Sequence, residues 1–298
     1  MKNKLFVYAA ALLATLFWGA SFVWYKQAFQ AFDAISIIFF RLVIAAILML
    51  ITSQFIYKKE KIRKEDFKIF LLLSFLQPFC YFMFESYGMK YVSSTLGALI
   101  VATIPLFTPV FTYFLAKEKI TLFNISGLII SFIGVIIVIS NDFSSKGSTI
   151  GILLLLLAVM SANLYGIMVK KLLKKYSGFT IVKNQNFIGL LYLLPLFIIF
   201  ERNKLASLQP VDFIPILGLA VFGSTLAFIL KTYVIKKIGL INSNIFSNMI
   251  PVFTAIIAYF VLHEILGIQK LIGIVVVVSG LLISQIPQLR KRKFNKVN

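Results

Sequence analysis

Apolar residues in this chain gather into ten blocks of roughly twenty, the length a helix needs to cross a hydrocarbon layer about 30 Å thick. The blocks lie at about 5–25, 34–56, 68–88, 95–116, 122–140, 150–169, 181–200, 212–232, 241–262 and 268–286. Polar and apolar positions do not alternate within them, as the run from Ile150 to Val159 shows. The strands of a closed membrane barrel need that alternation, so a barrel is excluded. The pattern predicts an all-α integral membrane protein with ten transmembrane helices and short connections. The longest hydrophilic connection, residues 57–68, is too small to fold as a domain.

Composition sharpens this reading. The chain is 60% hydrophobic and 13% charged, about half the charge of a soluble domain, and its mean hydropathy is +0.96. A net charge of +20 in a soluble protein would raise the question of nucleic acid. Here the basic residues sit in short clusters between apolar blocks, so they read as topology signals and contacts to anionic lipid, and no nucleic-acid partner is expected. With the amino terminus inside, 22 of the 30 Lys and Arg fall in inside segments and six outside, while Arg41 and Lys231 lie within or at the end of spans. Both termini are therefore expected in the cytoplasm. The first residues look like a signal peptide, but the apolar block runs on to Val23 and more spans follow, which predicts a retained first helix.

The chain also matches itself. At an offset of 146, Pro105 meets Pro251, Thr108 meets Thr254, Tyr113 meets Tyr259, and Glu118 meets Glu264; Gly127 with Gly273 and Gly134 with Gly280 continue the match. This divides the chain into repeats 1–145 and 146–298, the second ending in a basic cytoplasmic tail. Five spans per repeat is an odd number, so the second copy enters the membrane from the opposite side and the halves are inverted. Inverted copies that exchange shapes supply two related conformations, one open to each side, which is the basis of alternating access.

Charges inside spans are the first functional candidates, because an ionisable group in hydrocarbon is costly unless it faces a polar interior. Arg41 lies about 10 Å deep in the second span and Glu85 about 5 Å deep in the third, both from the outer end. The two are expected to pair. The alternative has Arg41 reaching the outer headgroups and Glu85 starting a wet loop. Lys231 stands at the repeat position equivalent to Glu85, but inversion places the two near opposite faces, about 20 Å apart. Lys231 then reads as a snorkelling or cavity-mouth charge on the cytoplasmic side.

Asn244, Ser247, Asn248 and Pro251 recur at three- and four-residue steps and share one face of the ninth span. That face either lines a substrate cavity or bonds neighbouring helices. Pro105 and Pro251, at matched depths, each remove a helical hydrogen bond and are candidate bends. Trp18, Trp24, Asn163, Tyr165, Gln185 and Asn186 offer aromatic and amide walls suited to a zwitterion or planar ring, although core packing would also account for any one of them. Glu118 and Glu264 read as ties of the turns that follow them, and His263 as a solvated helix end. Cys80, the single cysteine, reads as a small core residue. One His and one Cys cannot hold a metal. No nucleotide-binding or hydrolase motif appears either, so neither cofactor nor enzyme activity is expected.

The segment FWGASFVWYK in the first span, Arg41 in FRLVIAAILML, and the paired Pro, Glu and Gly pattern resemble the drug/metabolite transporter superfamily, EamA type. The resemblance spans nearly the whole chain. It implies an exporter of a small metabolite in a bacterial inner membrane, often of amino acids or related compounds. It also implies a central cavity lined by helices 1–4 and 6–9, with 5 and 10 peripheral. Small multidrug exporters for lipophilic cations carry an acidic residue in the first span; here spans 1 and 6 hold none. The reading is thus a secondary transporter for a small neutral or zwitterionic metabolite, with lipid as its surroundings. A coupling proton stays open, since Glu85 could carry one. The alternative is a flippase for a lipid-linked carrier or an efflux protein for lipophilic compounds.

Overall fold

The computed structural model describes residues 2–55, 60–116, 120–139, 146–201, 209–265 and 267–294. All regular structure among them is helical. Among the described residues nine helices are long and apolar enough to cross a membrane: α1 (Leu5–Ala28), α2 (Ala34–Gln54), α3 (Lys64–Tyr91), α4 (Ser94–Phe114), α6 (Gly147–Leu172), α7 (Gly178–Phe200), α8 (Pro210–Ile238), α9 (Asn242–Val261) and α10 (Ile268–Ile286). Between α4 and α6 lies a shorter apolar helix, α5 (Leu122–Val138). The apolar blocks of the sequence thus reappear as helices, nine at full spanning length and one shorter. Large side chains such as Phe114 and Phe260 stand more than 70% exposed on the outer surface, as suits a bundle surrounded by lipid rather than water.

Helix ends follow from local chemistry. Ser93 begins α4 by accepting a hydrogen bond from the Leu96 amide at 3.2 Å, and Ser177 begins α7 by accepting one from Thr180 at 3.2 Å; both satisfy an otherwise unpaired amide of the first turn. Gly239 closes α8 at φ +82, a left-handed conformation that only glycine adopts without strain.

Four of the helices are irregular, at places the sequence pattern did not reveal. In α3 a π-helical stretch, Phe75–Cys80, contains the extended residue Gln77. In α8 a π-helical stretch covers Leu219–Leu226. The fourth span breaks at Ala102 and Thr103, between Ser94–Val101 and Ile104–Ala116. The ninth passes through a 3-10 segment, Ile245–Met249, before Ile250–Val261. Non-helical backbone at membrane depth is tolerated only where protein or a polar cavity satisfies it, so these four places mark the interior.

Pro105 and Pro251 follow these breaks. Each stands in the first turn of its second segment, where a backbone N–H has no intrahelical partner. The expectation that each removes a hydrogen bond from mid-helix is corrected accordingly: the break precedes the proline.

Helices α5 and α10 pack on each other through glycine. A Cβ on Gly134 would lie 2.7 Å from the Val277 amide nitrogen, and one on Gly280 would lie 2.7 Å from the Gly127 carbonyl oxygen. The backbones therefore approach more closely than any side chain would permit.

Candidate functional site

Helices α1, α2, α3, α4, α6, α8 and α9 enclose a cavity of about 90 Å³. Among the described residues α5, α7 and α10 contribute nothing to its wall. That agrees with a peripheral place for α5 and α10 and departs from the expected share of α7. The reason lies in α7's amides. Gln185 is occupied by the Tyr165 hydroxyl, which donates to its Oε1 at 2.7 Å. Asn186 turns to the Ser224 carbonyl oxygen, 3.5 Å away. Tyr165 itself lines the cavity.

At one end of the cavity sits a buried ion pair. Arg41 Nη1 lies 3.6 Å from Glu85 Oε2, with the side chains 2% and 7% exposed. The Tyr25 hydroxyl bridges them: it accepts from Arg41 Nη1 at 2.8 Å and donates to Glu85 Oε2 at 3.1 Å. Tyr81, one helical turn before Glu85, donates to Oε1 at 2.8 Å. Arg41 Nε donates to the Ser224 hydroxyl, and its guanidinium carbon stands 3.8 Å from the Phe82 ring centre. Burial of a charge is tolerable when its polar atoms find partners, as both Glu85 oxygens and Arg41 Nε and Nη1 do here. The snorkelling alternative for Arg41 does not apply.

Ser224 reaches Arg41 because α8 is π-helical there. The adjacent Gly223 lets the helix approach α1: a Cβ would lie 2.6 Å from Ser21 Oγ and 3.3 Å from Arg41 Nη2. Its carbonyl accepts from Trp18 Nε1 at 3.2 Å.

The other end of the cavity holds Lys231. Its amine donates to the Ser243 carbonyl at 3.1 Å and stands 5.7 Å from the Trp18 ring centre. Arg41, by comparison, stands 5.6 Å from the Tyr25 ring centre. Trp18 and Tyr25 are seven residues apart on α1, so the two cations occupy levels about 10 Å apart. Lys231 is half-buried in the wall. Of its two expected places, snorkelling at the membrane face or a charge at the cavity, the structure has the second: Lys231 lines the same cavity as Glu85.

Between these ends, polar side chains tie helices together. Thr108 Oγ1 donates to Asn163 Oδ1 at 2.8 Å and accepts from Asn244 Nδ2 at 3.2 Å, joining α4, α6 and α9. Asn163, Asn244 and Ser247 all line the cavity. Asn248 does not. It faces α10, where its amide donates to Gln285 Oε1 at 3.3 Å. The polar face of the ninth span thus divides, part to the cavity and part to helix packing.

Trp24 packs against Gly218 and, at 5.8 Å between ring centres, Phe222, away from the cavity. Cys80 is partly buried in the π segment of α3. His263 is exposed. Glu264 bonds the Ser94 hydroxyl and lies 3.7 Å from Lys270 Nζ, a tie between loops. Glu118 lies outside the described residues. Sequence reading missed Tyr25, Tyr81, Phe82, Thr108 and Ser224. Tyr81 carried a usable signal, four residues before Glu85 on the same helical face; Ser224 carried none, because its orientation depends on the π segment.

The EamA-like transporter family model matches residues 5–140 and again 149–285. A Bacillus subtilis (strain 168) protein named uncharacterized transporter YcxC is 28% identical, over 96% of this chain and 95% of its own length. An Archaeoglobus fulgidus protein named uncharacterized transporter is 25% identical, over 91% of this chain and 95% of its own. A crystal structure superposes with a TM-score of 0.71 over 95% of this chain and 98% of that one, at 12% identity, a likeness of fold alone. Two matches that together take in most of the chain, over helices enclosing a cavity, place it in the EamA-like transporter family.

Proposed function

We propose that the protein exports a small neutral or zwitterionic metabolite, such as an amino acid, across a bacterial inner membrane by alternating access. The moving parts are two inverted five-helix halves, 1–145 and 146–298, with both termini in the cytoplasm. The observation that carries this reading is a cavity lined by helices of both halves, with the buried Arg41–Glu85 pair satisfied internally and aromatic and amide groups left along the wall. Such a chamber suits a small solute that brings little net charge.

Further support comes from the irregular segments. The π stretches of α3 and α8, and the breaks of the fourth and ninth spans, fall at equivalent places at the 146-residue offset. Each half thus carries the same two soft points, as halves that exchange shapes require. The excess of Lys and Arg in alternate loops supports the cytoplasmic termini.

The test uses purified protein in liposomes. Counterflow of labelled amino acids that depends on protein, with no change in lipid scrambling, is the expected result. Accelerated scrambling of a fluorescent headgroup without solute counterflow would replace this reading with a flippase. Reporters fused to the two ends test the topology; opposite locations would overturn the inverted arrangement.

A further inference from the structure

We propose that Lys231 is the carboxylate anchor of the cavity, so that the transported solute is a small organic carboxylate with a flat apolar body. This rests on the transporter reading above and moves its substrate class from a neutral solute to one that presents a carboxylate, alone or as the acidic end of a zwitterion.

Among the described residues three Arg, Lys or carboxylate side chains line the cavity, and they are not in the same condition. Arg41 and Glu85 neutralise each other, and both carboxylate oxygens of Glu85 are already engaged by tyrosine hydroxyls. Lys231 is different. Among the described residues no carboxylate lies within ion-pair distance of it. Among the described residues its amine donates to one backbone carbonyl, that of Ser243, whereas an ammonium has three donors to place.

A cation within a membrane-spanning helix is expensive without a counter-charge. A counter-charge brought by the solute removes that cost only while the solute is bound, which makes the position a recognition element rather than a fold element. One unmatched cation calls for one negative charge, so a monocarboxylate fits better than a dianion.

The surroundings describe the rest of the solute. The Trp18 ring lies 5.7 Å from the amine, and it meets Phe228 edge-on at 5.4 Å between ring centres. Phe228 in turn stands edge-on to Tyr165 at 6.3 Å. All three line the cavity beside Lys231, giving a carboxylate on the amine a set of apolar faces for its body. Glu85, with its acceptor atoms taken, offers no equivalent place for a substrate ammonium; a zwitterion would be held by its carboxylate end.

The experiment reads binding directly. The chain has two tryptophans, and W24F leaves Trp18 as the sole reporter beside Lys231. The W24F protein in detergent is titrated with 4-bromobenzoate and with 4-bromobenzamide, whose heavy atom quenches indole fluorescence. Saturable quenching by the carboxylate at a concentration at least tenfold lower than by the amide is expected. K231R keeps the preference and K231M abolishes it. Without ligand, K231M melts at the same or a higher temperature, since an unmatched charge has been removed; a lower melting temperature with the preference intact would assign Lys231 a purely structural role and overturn the proposal.

Equal quenching by acid and amide, or no saturable quenching by the acid, overturns it too. Counterflow in liposomes separates this failure from that of the transporter reading. Counterflow of a neutral solute without carboxylate preference leaves transport standing and removes the anchor. Carboxylate-selective quenching without counterflow of any solute keeps the anchor and removes transport.

Discussion

Ser131 Oγ donates a hydrogen bond to the carbonyl oxygen of Val277 at 3.0 Å, and the two residues stand 146 positions apart, the offset at which the halves of the sequence align. Equivalent positions of the two halves therefore touch. The contacts around them have the same reciprocity: Gly127 abuts Gly280, and Gly134 abuts Gly273, each glycine meeting the counterpart of the other pair. A pseudo-two-fold axis passing between α5 and α10 at Ser131 and Val277 accounts for all of these.

That interface depends on close backbone approach, so added bulk there should be costly. Gly134→Val and Gly280→Val are each expected to lower stability by about 1–3 kcal/mol through overpacking, read as earlier thermal aggregation in detergent. Ser131→Ala should cost only about 0.6 kcal/mol, the average for an interhelical side-chain hydrogen bond in a membrane. A serine substitution more damaging than either valine would contradict the packing account.

The Arg41–Glu85 pair invites a double-mutant cycle. Removing one partner of a buried pair costs about 3–5 kcal/mol, because the other charge is left unmatched. Arg41→Met should therefore be severe. Glu85→Gln should also be damaging, although the amide can still bond Tyr25 and Tyr81. In Arg41→Met/Glu85→Gln neither charge remains, and the double variant should recover much of the loss, measured by melting temperature. Strictly additive losses would show that the two do not interact. Exchanging the charges is expected to fail, in contrast to what two isolated charges would suggest. Ser224 and Phe82 fit a guanidinium at position 41 and Tyr25 and Tyr81 fit a carboxylate at 85.

The spans were legible because a bilayer sets one length and one polarity for every crossing helix, and apolar blocks record both. α7, for example, ends at Phe200, where its apolar block does. The Arg41–Glu85 contact was legible for a related reason: two charges at similar depth in hydrocarbon have few alternatives to each other. What stayed hidden depends on helix rotation and register. The π stretches re-aim Gln77 and Ser224 without any change in hydropathy, and a one-position difference sends Asn248 to Gln285 while Ser247 faces the cavity. For Lys231 the sequence left a snorkelling and a cavity-mouth place both open, because it gives depth from the membrane face alone, whereas the cavity reaches both it and Glu85.

Thr108 supplies a third prediction. Its hydroxyl donates to Asn163 and accepts from Asn244, so one side chain holds three helices at the cavity wall. Thr108→Val keeps the shape and removes both bonds, leaving two buried amides short of a partner. Loss of about 1–2 kcal/mol in stability is expected from model membrane helices, together with a raised KM for the counterflow solute, since Asn163 and Asn244 line the cavity. Thr108→Ser should restore both. Unchanged KM in the valine variant would separate this bridge from substrate binding.

At the end of the bundle where α1 begins, the two halves are held by ionic and hydrogen-bonded contacts at the start of α3 and in the connection from α6 to α7. Lys175 Nζ lies 2.8 Å from Asp66 Oδ1, the Tyr176 hydroxyl donates to Asp66 Oδ2 at 2.7 Å, and Glu60 accepts from the Ser177 amide at 2.8 Å. The hydrogen bond to Asp66 holds the Lys175 amine above its ordinary range, so its contribution is complete below about 10.5 and is lost only as pH rises through the folded value. For Glu60, burial pushes the carboxyl up, but the bonds from the Ser177 amide and the nearby hydroxyls outweigh it and bring it below its ordinary 4.5. Its contribution is present above about 4.5 and fades as pH falls through the folded value. This latch should therefore be indifferent to pH between 6 and 9 and loosen in acid below about 4. The readout is alkylation of a cysteine at Ile235, a cavity-lining position, in a Cys80→Ser background. Asp66→Asn should speed alkylation about threefold at pH 7, while Glu60→Gln should matter less because the contact is exposed. Scaling each rate to that of a free thiol with the same alkylating reagent at the same pH removes the intrinsic effect of thiol ionisation. Labelling that varied steeply between pH 6 and 9 after that scaling would rule these groups out as what holds this end closed.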